Sequence, residues 1–195
     1  MQVIKSTFEE DLPKEKFPQA ADYCRETALA KGLEVAERVM SRDSGIDHLP
    51  DLIISSDTIV EHQGKVLEKP ADEEDAFCVL SSLSGSTHNV HTGVALILPK
   101  VKDSKDQSTE GLRVGGVTVK SFAVTTEVTF DKITPEAIRA YIATGEPMDK
   151  AGSYGIQGVA GSFVTGISGC YFNVMGLPIN RLCSEIDSMI RAGVL

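Results

Sequence analysis

An α/β fold with a mixed sheet is what this sequence predicts. Three observations predict it: apolar strand-like runs, segments with apolar residues at helical spacing, and the alternation of the two along the chain. A chain of 195 residues makes one large domain or two tightly fused lobes, and is long enough to bury a core without disulfides or a structural metal.

Residues 1–5 read as a short strand. A long helical pattern follows over residues 17–42, with Ala21, Cys24, Ala28, Val35 and Val39 forming one apolar stripe. Lys31 falls on that stripe. An inward lysine must snorkel out, pair with an acid or meet a ligand anion. Residues 51–57 form a buried strand whose C-terminal end carries Asp57, and residues 58–67 a hairpin turning at Gln63-Gly64. A helix over residues 72–84 has an acidic first turn that complements its dipole, with Gly85 as its C-terminal stop. Residues 89–98 and 114–130 are strands, and the polar segment 100–116 between them is an extended loop. Thr134 caps a helix that has Pro135 at its first position and ends at Gly145. A glycine-rich stretch and a strand-like segment around 162–169 follow. The final helix, about 179–192, uses Leu182, Ile186 and Ile190 as its apolar face.

The formal charge of −9 and pI of about 4.9 disfavour a surface for nucleic-acid polymers, which calls for stripes of Lys and Arg. A small polyanion remains compatible, because a few lysines or a metal reverse the field inside one cleft. No run approaches the roughly 18 apolar residues of a membrane span, and residues 1–16 lack the apolar core of a signal peptide. The expected setting is cytoplasmic, and the four cysteines, Cys24, Cys78, Cys170 and Cys183, read as reduced, mostly buried thiols. The histidines (His48, His62, His88, His91) lack zinc-hydrolase spacing, and no Gly-x-Ser-x-Gly elbow occurs.

Polar chemistry concentrates in four places. Asp57, at a strand end, is placed for a metal or a water, and equally for an Asx-turn. Lys69, held extended by Pro70, offers a point charge to a phosphate, although most such lysines are simply solvated. Lys31 is the third. The fourth is residues 145–158, Gly-Glu-Pro-Met-Asp-Lys-Ala-Gly-Ser-Tyr-Gly-Ile-Gln-Gly, where glycines allow close backbone approach and Gln157 is able to read a base edge.

Together with Ser-Asp-Thr-Ile-Val at 56–60, Leu-Glu-Lys-Pro at 67–70, His-Thr-Gly-Val-Ala at 91–95 and Asn-Val-Met-Gly-Leu-Pro at 173–178, that stretch resembles the Maf family in the family's order over nearly the whole chain. The resemblance implies a single Maf-like domain over residues 1–195, an α/β fold with an elongated mixed sheet flanked by helices and two lobes around a cleft. It implies hydrolysis of dTTP and UTP, and of modified pyrimidine triphosphates, to the monophosphate and pyrophosphate with a divalent metal, Mg2+ or Mn2+. It makes Asp57 the acceptor of water's proton and Glu10 a second active-site acid at the metal. Lys31 and Lys69 become phosphate-binding lysines, Thr58 and Gln157 base-selecting positions, and the assembly a homodimer. Family members open with a strand and a Ser-x-Ser-Pro-Arg-Arg loop, and no Ser-Pro-Arg-Arg occurs in these 195 residues. The expectation is therefore a chain lacking the first strand, and the alternative reading a catalytically impaired nucleotide-binding module. A third reading, a related pyrophosphatase for non-canonical purine triphosphates, is disfavoured by the Gln157 loop.

Overall fold

The computed structural model describes residues 2–41, 48–99, 112–114 and 116–195. Its regular elements are α1 (Ala20–Met40), β1 (Ile53–His62), β2 (Lys65–Leu67), α2 (Glu73–Leu83), β3 (Thr87–Leu98), β4 (Leu112–Val114), β5 (Val117–Phe130), α3 (Pro135–Ile142), β6 (Val164–Ser168), α4 (Tyr171–Val174) and α5 (Ile179–Arg191). Among the described residues no helix is long and apolar enough to cross a membrane.

The six strands form one sheet in the order β2-β1-β3-β5-β4, with β6 also paired to β5. The α/β class holds, but the strand directions depart from the mixed sheet expected. β1–β2, β4–β5 and β5–β6 pair antiparallel. Side-chain bonds across β1–β3 (Thr58 to Thr92, Glu61 to His91) and β3–β5 (Thr87 to Thr129, His91 to Thr125) run in opposite chain directions too. The β1–β2 connection is the expected hairpin, with Gln63 and Gly64 at φ of 51° and 75°, the handedness that matches strand twist.

Local capping follows the sequence. Asp72 accepts from the Asp75 amide at 2.8 Å to start α2, and Thr134 from the Ala137 amide at 3.3 Å to start α3. Three expectations fail. Residues 2–5 are not a strand, because the Lys5 carbonyl accepts from the Arg38 guanidinium at 2.8 Å and not from a strand neighbour. The buried face of α5 is Leu182, Glu185 and Met189, while Ile190 is 55 % exposed. Glu185 is tolerated inside because Lys120 and Arg181 both hold it at 2.6 Å. Cys24 is buried, but Cys78 and Cys183 are exposed. The loop expected over residues 100–116 lies outside the described residues apart from β4 and Gly116.

The chain divides into two compact units. One comprises Met1–Asp57, Gly93–Ala123 and Ile179–Leu195; its core includes Ala36, Ile97, Val117 and Val119. The other comprises Thr58–Thr92 and Val124–Pro178, with a core built on Leu80, Val90, Val128, Phe130, Ile138 and Tyr141.

His88 lies in this second core at 2 % exposure, edge-on to Phe130 and Tyr154, with Nε2 2.8 Å from the Tyr154 hydroxyl. Burial, and then the neighbouring His62, push its pKa down to about 4. The folded chain thus refuses a proton that the unfolded chain accepts near its ordinary value of about 6.5. Its contribution is complete above that value and is lost as pH falls from about 6.5 towards 4. Relative to His88→Phe, the wild type should lose about 2 kcal/mol between pH 7 and pH 5 in denaturant titrations. Parallel pH profiles for the two proteins would exclude His88 as the source.

Candidate active site

In the first unit, α1 turns its face of Cys24, Ala28, Val35 and Val39 into the core, and Lys31 on that face points at β1. The Lys31 ammonium donates to Asp57 Oδ1 at 3.1 Å and to Glu10 Oε1 at 3.0 Å. Of the three fates open to an inward lysine, the structure takes the acid pair. Asp57 is 8 % exposed. It sits within β1 and not at the end of a strand, because the alternation of the hairpin segment continues the buried strand through to His62. Burial works against the Lys31 charge, but Asp57 and Glu10 outweigh it and hold the ammonium above its ordinary pKa. Beside them, burial and then the Asp57 charge push the Cys24 thiol up to about 12, which leaves it a neutral, unreactive group.

Glu10 reaches this point on a segment without regular structure. Its attachment is Glu34, whose carboxylate accepts from Ser6 Oγ (2.8 Å), the Thr7 amide (3.0 Å) and Thr7 Oγ1 (2.9 Å). Sequence reasoning missed Glu34; the available signal was its place three residues after Lys31, on the same side of the helix. It missed Gly93 too. A Cβ at that position would collide with the Cys24 carbonyl and stand 2.5 Å from Arg25 backbone atoms, so the bare backbone of β3 sets how closely α1 approaches.

The second unit holds Thr58, Lys69 and Gln157. Thr58 Oγ1 lies 2.9 Å from Thr92 Oγ1, which in turn donates to the Asn173 carbonyl at 2.8 Å. Lys69 is exposed, its charge helping to lower the Asp149 pKa after the larger effect of Lys150. The preceding Glu68 carbonyl accepts from the Gly152 amide at 3.2 Å, which fastens the Leu-Glu-Lys-Pro segment to the glycine-rich loop. Gln157 is exposed on that loop. The loop's shape comes from Glu146, which accepts from the Tyr141 hydroxyl at 3.0 Å and from the Val159 amide at 3.3 Å. Gly158 packs so tightly on this carboxylate that any Cβ would overlap it. Among the described residues no three His, Cys, Asp or Glu side chains gather into a metal cage. The only predicted carboxylates that converge are Glu10 and Asp57, on one ammonium.

The family described as Maf-like protein matches residues 1–189. The chain belongs to the Maf family. Within this Maf chain, the Ser-Asp-Thr-Ile-Val motif is the middle of β1, and the motif at 145–158 is the loop shaped by Glu146. A dTTP/UTP pyrophosphatase of Clostridium perfringens (strain 13 / Type A) is 43% identical over 187 residues, 96% of this chain and 85% of its own length. One from Clostridium botulinum (strain 657 / Type Ba4) is 42% identical over 190 residues, 96% of this chain and 86% of its own. A human protein, named probable bifunctional dTTP/UTP pyrophosphatase/methyltransferase, is 40% identical over 185 residues, 95% of this chain and 28% of its own.

Proposed function

We propose that this Maf chain hydrolyses dTTP and UTP, and modified pyrimidine triphosphates of the same kind, between the α and β phosphates to give the monophosphate and pyrophosphate. The observation that carries the reading is a charged lysine held between two carboxylates, one of them buried, in a chain 43% identical to a dTTP/UTP pyrophosphatase. Asp57 accepts the proton of the attacking water, as a carboxylate at low exposure is suited to do. Lys31 and Lys69 neutralise phosphate charge, with Lys31 kept protonated by its acidic neighbours. Thr58 and Gln157 contact the base.

Glu10 and Asp57 would hold a divalent cation, Mg2+ or Mn2+. The donor set fits: two hard carboxylates meet at one cationic position, and such ions take one or two carboxylates together with substrate phosphate oxygens. When bound, the ion supplies charge neutralisation at the phosphates. A single domain working in the cytoplasm, with its four cysteines as free thiols, and pairing with a second copy completes the reading.

The test is pyrophosphate release from dTTP, UTP, CTP and dATP by the intact chain with Mg2+ or Mn2+. Release is expected from the first two. Binding of dTTP without release would favour the alternative, a nucleotide-binding module that does not turn over.

A further inference from the structure

Thr58, Thr92 and Asn173 form a chain in which the protons have one possible order. A carbonyl oxygen only accepts, and two oxygens 2.8 Å apart repel unless a proton lies between them. The single hydroxyl proton of Thr92 is therefore committed to Asn173. The 2.9 Å contact between the two threonines must then be donated by Thr58. With its proton turned inward, Thr58 offers only lone pairs on its remaining side.

The far end of the chain is fixed. Asn173 is 0 % exposed, and its Nδ2 donates to the Val90 carbonyl at 3.0 Å and to Thr126 Oγ1 at 3.1 Å. Thr126 is tied both ways to the Cys170 backbone at 3.1 Å. Thr92 is itself fully buried and out of reach of a ligand. Beside Thr58 stands Gly176, which puts no side chain against the hydroxyl; a Cβ there would stand 3.5 Å from Thr58 Oγ1.

We infer that Thr92 is a positioning residue for specificity: by fixing the Thr58 hydroxyl as an acceptor, it selects pyrimidines whose N3 carries a hydrogen, uracil or thymine, over cytosine, whose N3 is a lone pair. The inference rests on Thr58 facing the base, as in the proposed function. A free hydroxyl would adapt to either base by rotating; one already committed by its neighbour does not.

The experiment reads binding, independently of turnover, by calorimetry with α,β-imido-UTP and α,β-imido-CTP on wild type, Thr92→Val and Thr92→Ser. Valine removes the relay at constant shape, while the Asn173 carbonyl keeps the Gly176 amide at 3.0 Å. The wild type should prefer the uracil analogue. Thr92→Val should lower the uracil-to-cytosine affinity ratio about tenfold, mainly by improving cytosine binding, and Thr92→Ser should restore the ratio. An unchanged ratio in Thr92→Val overturns the inference, even if both affinities fall together, because that is the mark of a purely structural role. Loss of the ratio in both variants, or no preference in the wild type, overturns it as well. An intact wild-type preference without pyrophosphate release counts against the hydrolytic reading alone.

Discussion

Asp57→Asn should lower pyrophosphate release from dTTP by about 10³-fold while leaving the fold in place, since removing a positioned proton acceptor typically costs 10²–10⁴-fold. Asparagine matches aspartate in shape. Lys31 keeps Glu10 at 3.0 Å, so no ammonium is stranded. The lost Lys31–Asp57 attraction is offset in part because a neutral amide is easier to bury than a carboxylate. The melting temperature should therefore move by no more than about 4 °C, the equivalent of roughly 1 kcal/mol in a chain of this size. Steady-state release and a thermal melt on the same preparation separate chemistry from folding. Turnover within tenfold of wild type would remove Asp57 from the reaction.

Gly93→Ala should be strongly destabilising. The new Cβ meets backbone of α1, the Cys24 carbonyl and the Arg25 nitrogen and Cα, none of which swings away as a side-chain tip does. The helix must retreat, and overpacking of this kind costs about 1–3 kcal/mol, or roughly 2–4 °C of melting temperature for each kcal/mol. Because Lys31 rides on the same helix, its 3.1 Å bond to Asp57 loosens, so release should fall as well. Two controls calibrate the effect. Gly32→Ala meets mainly the flexible tip of Ile97, at 2.6 Å, and should cost less; Gly166→Ala meets nothing within 4 Å and should be silent. If Gly93→Ala melts with Gly166→Ala, the close helix–strand approach does not hold.

How far the sequence reaches is clear from individual residues. Lys31 was legible because helical spacing puts it on an apolar stripe, and an inward lysine demands a partner. The caps at Asp72 and Thr134 and the turn at Gln63-Gly64 were legible because each is settled within four residues. What escaped depends on distance along the chain. Thr92 meets Asn173 across 81 positions, and Glu34 meets Thr7 across 27. Strand direction is another such property, since the pattern of one strand says nothing of which way its neighbour runs. α5 misled because a carboxylate, Glu185, occupies a core position that periodicity assigns to isoleucine; its compensation comes from Lys120 on β5. α4 left no trace at all, being four residues long with Tyr171 and Phe172 both exposed.

The clasp at Glu34 has a consequence for local opening. No residue from 2 to 13 is buried, and the segment carrying Glu10 is fastened by the Glu34 carboxylate, by Arg38 and by the Lys31 ammonium. A segment with so little burial is expected to open locally at lower free energy than the core. Asp57 is carried by a core strand, whereas Glu10 owes its place to bonds made at the surface. The two carboxylates share one ammonium while the segment is docked, and the bonds of Ser6 and Thr7 to Glu34, together with that of Lys31 to Glu10, are what dock it.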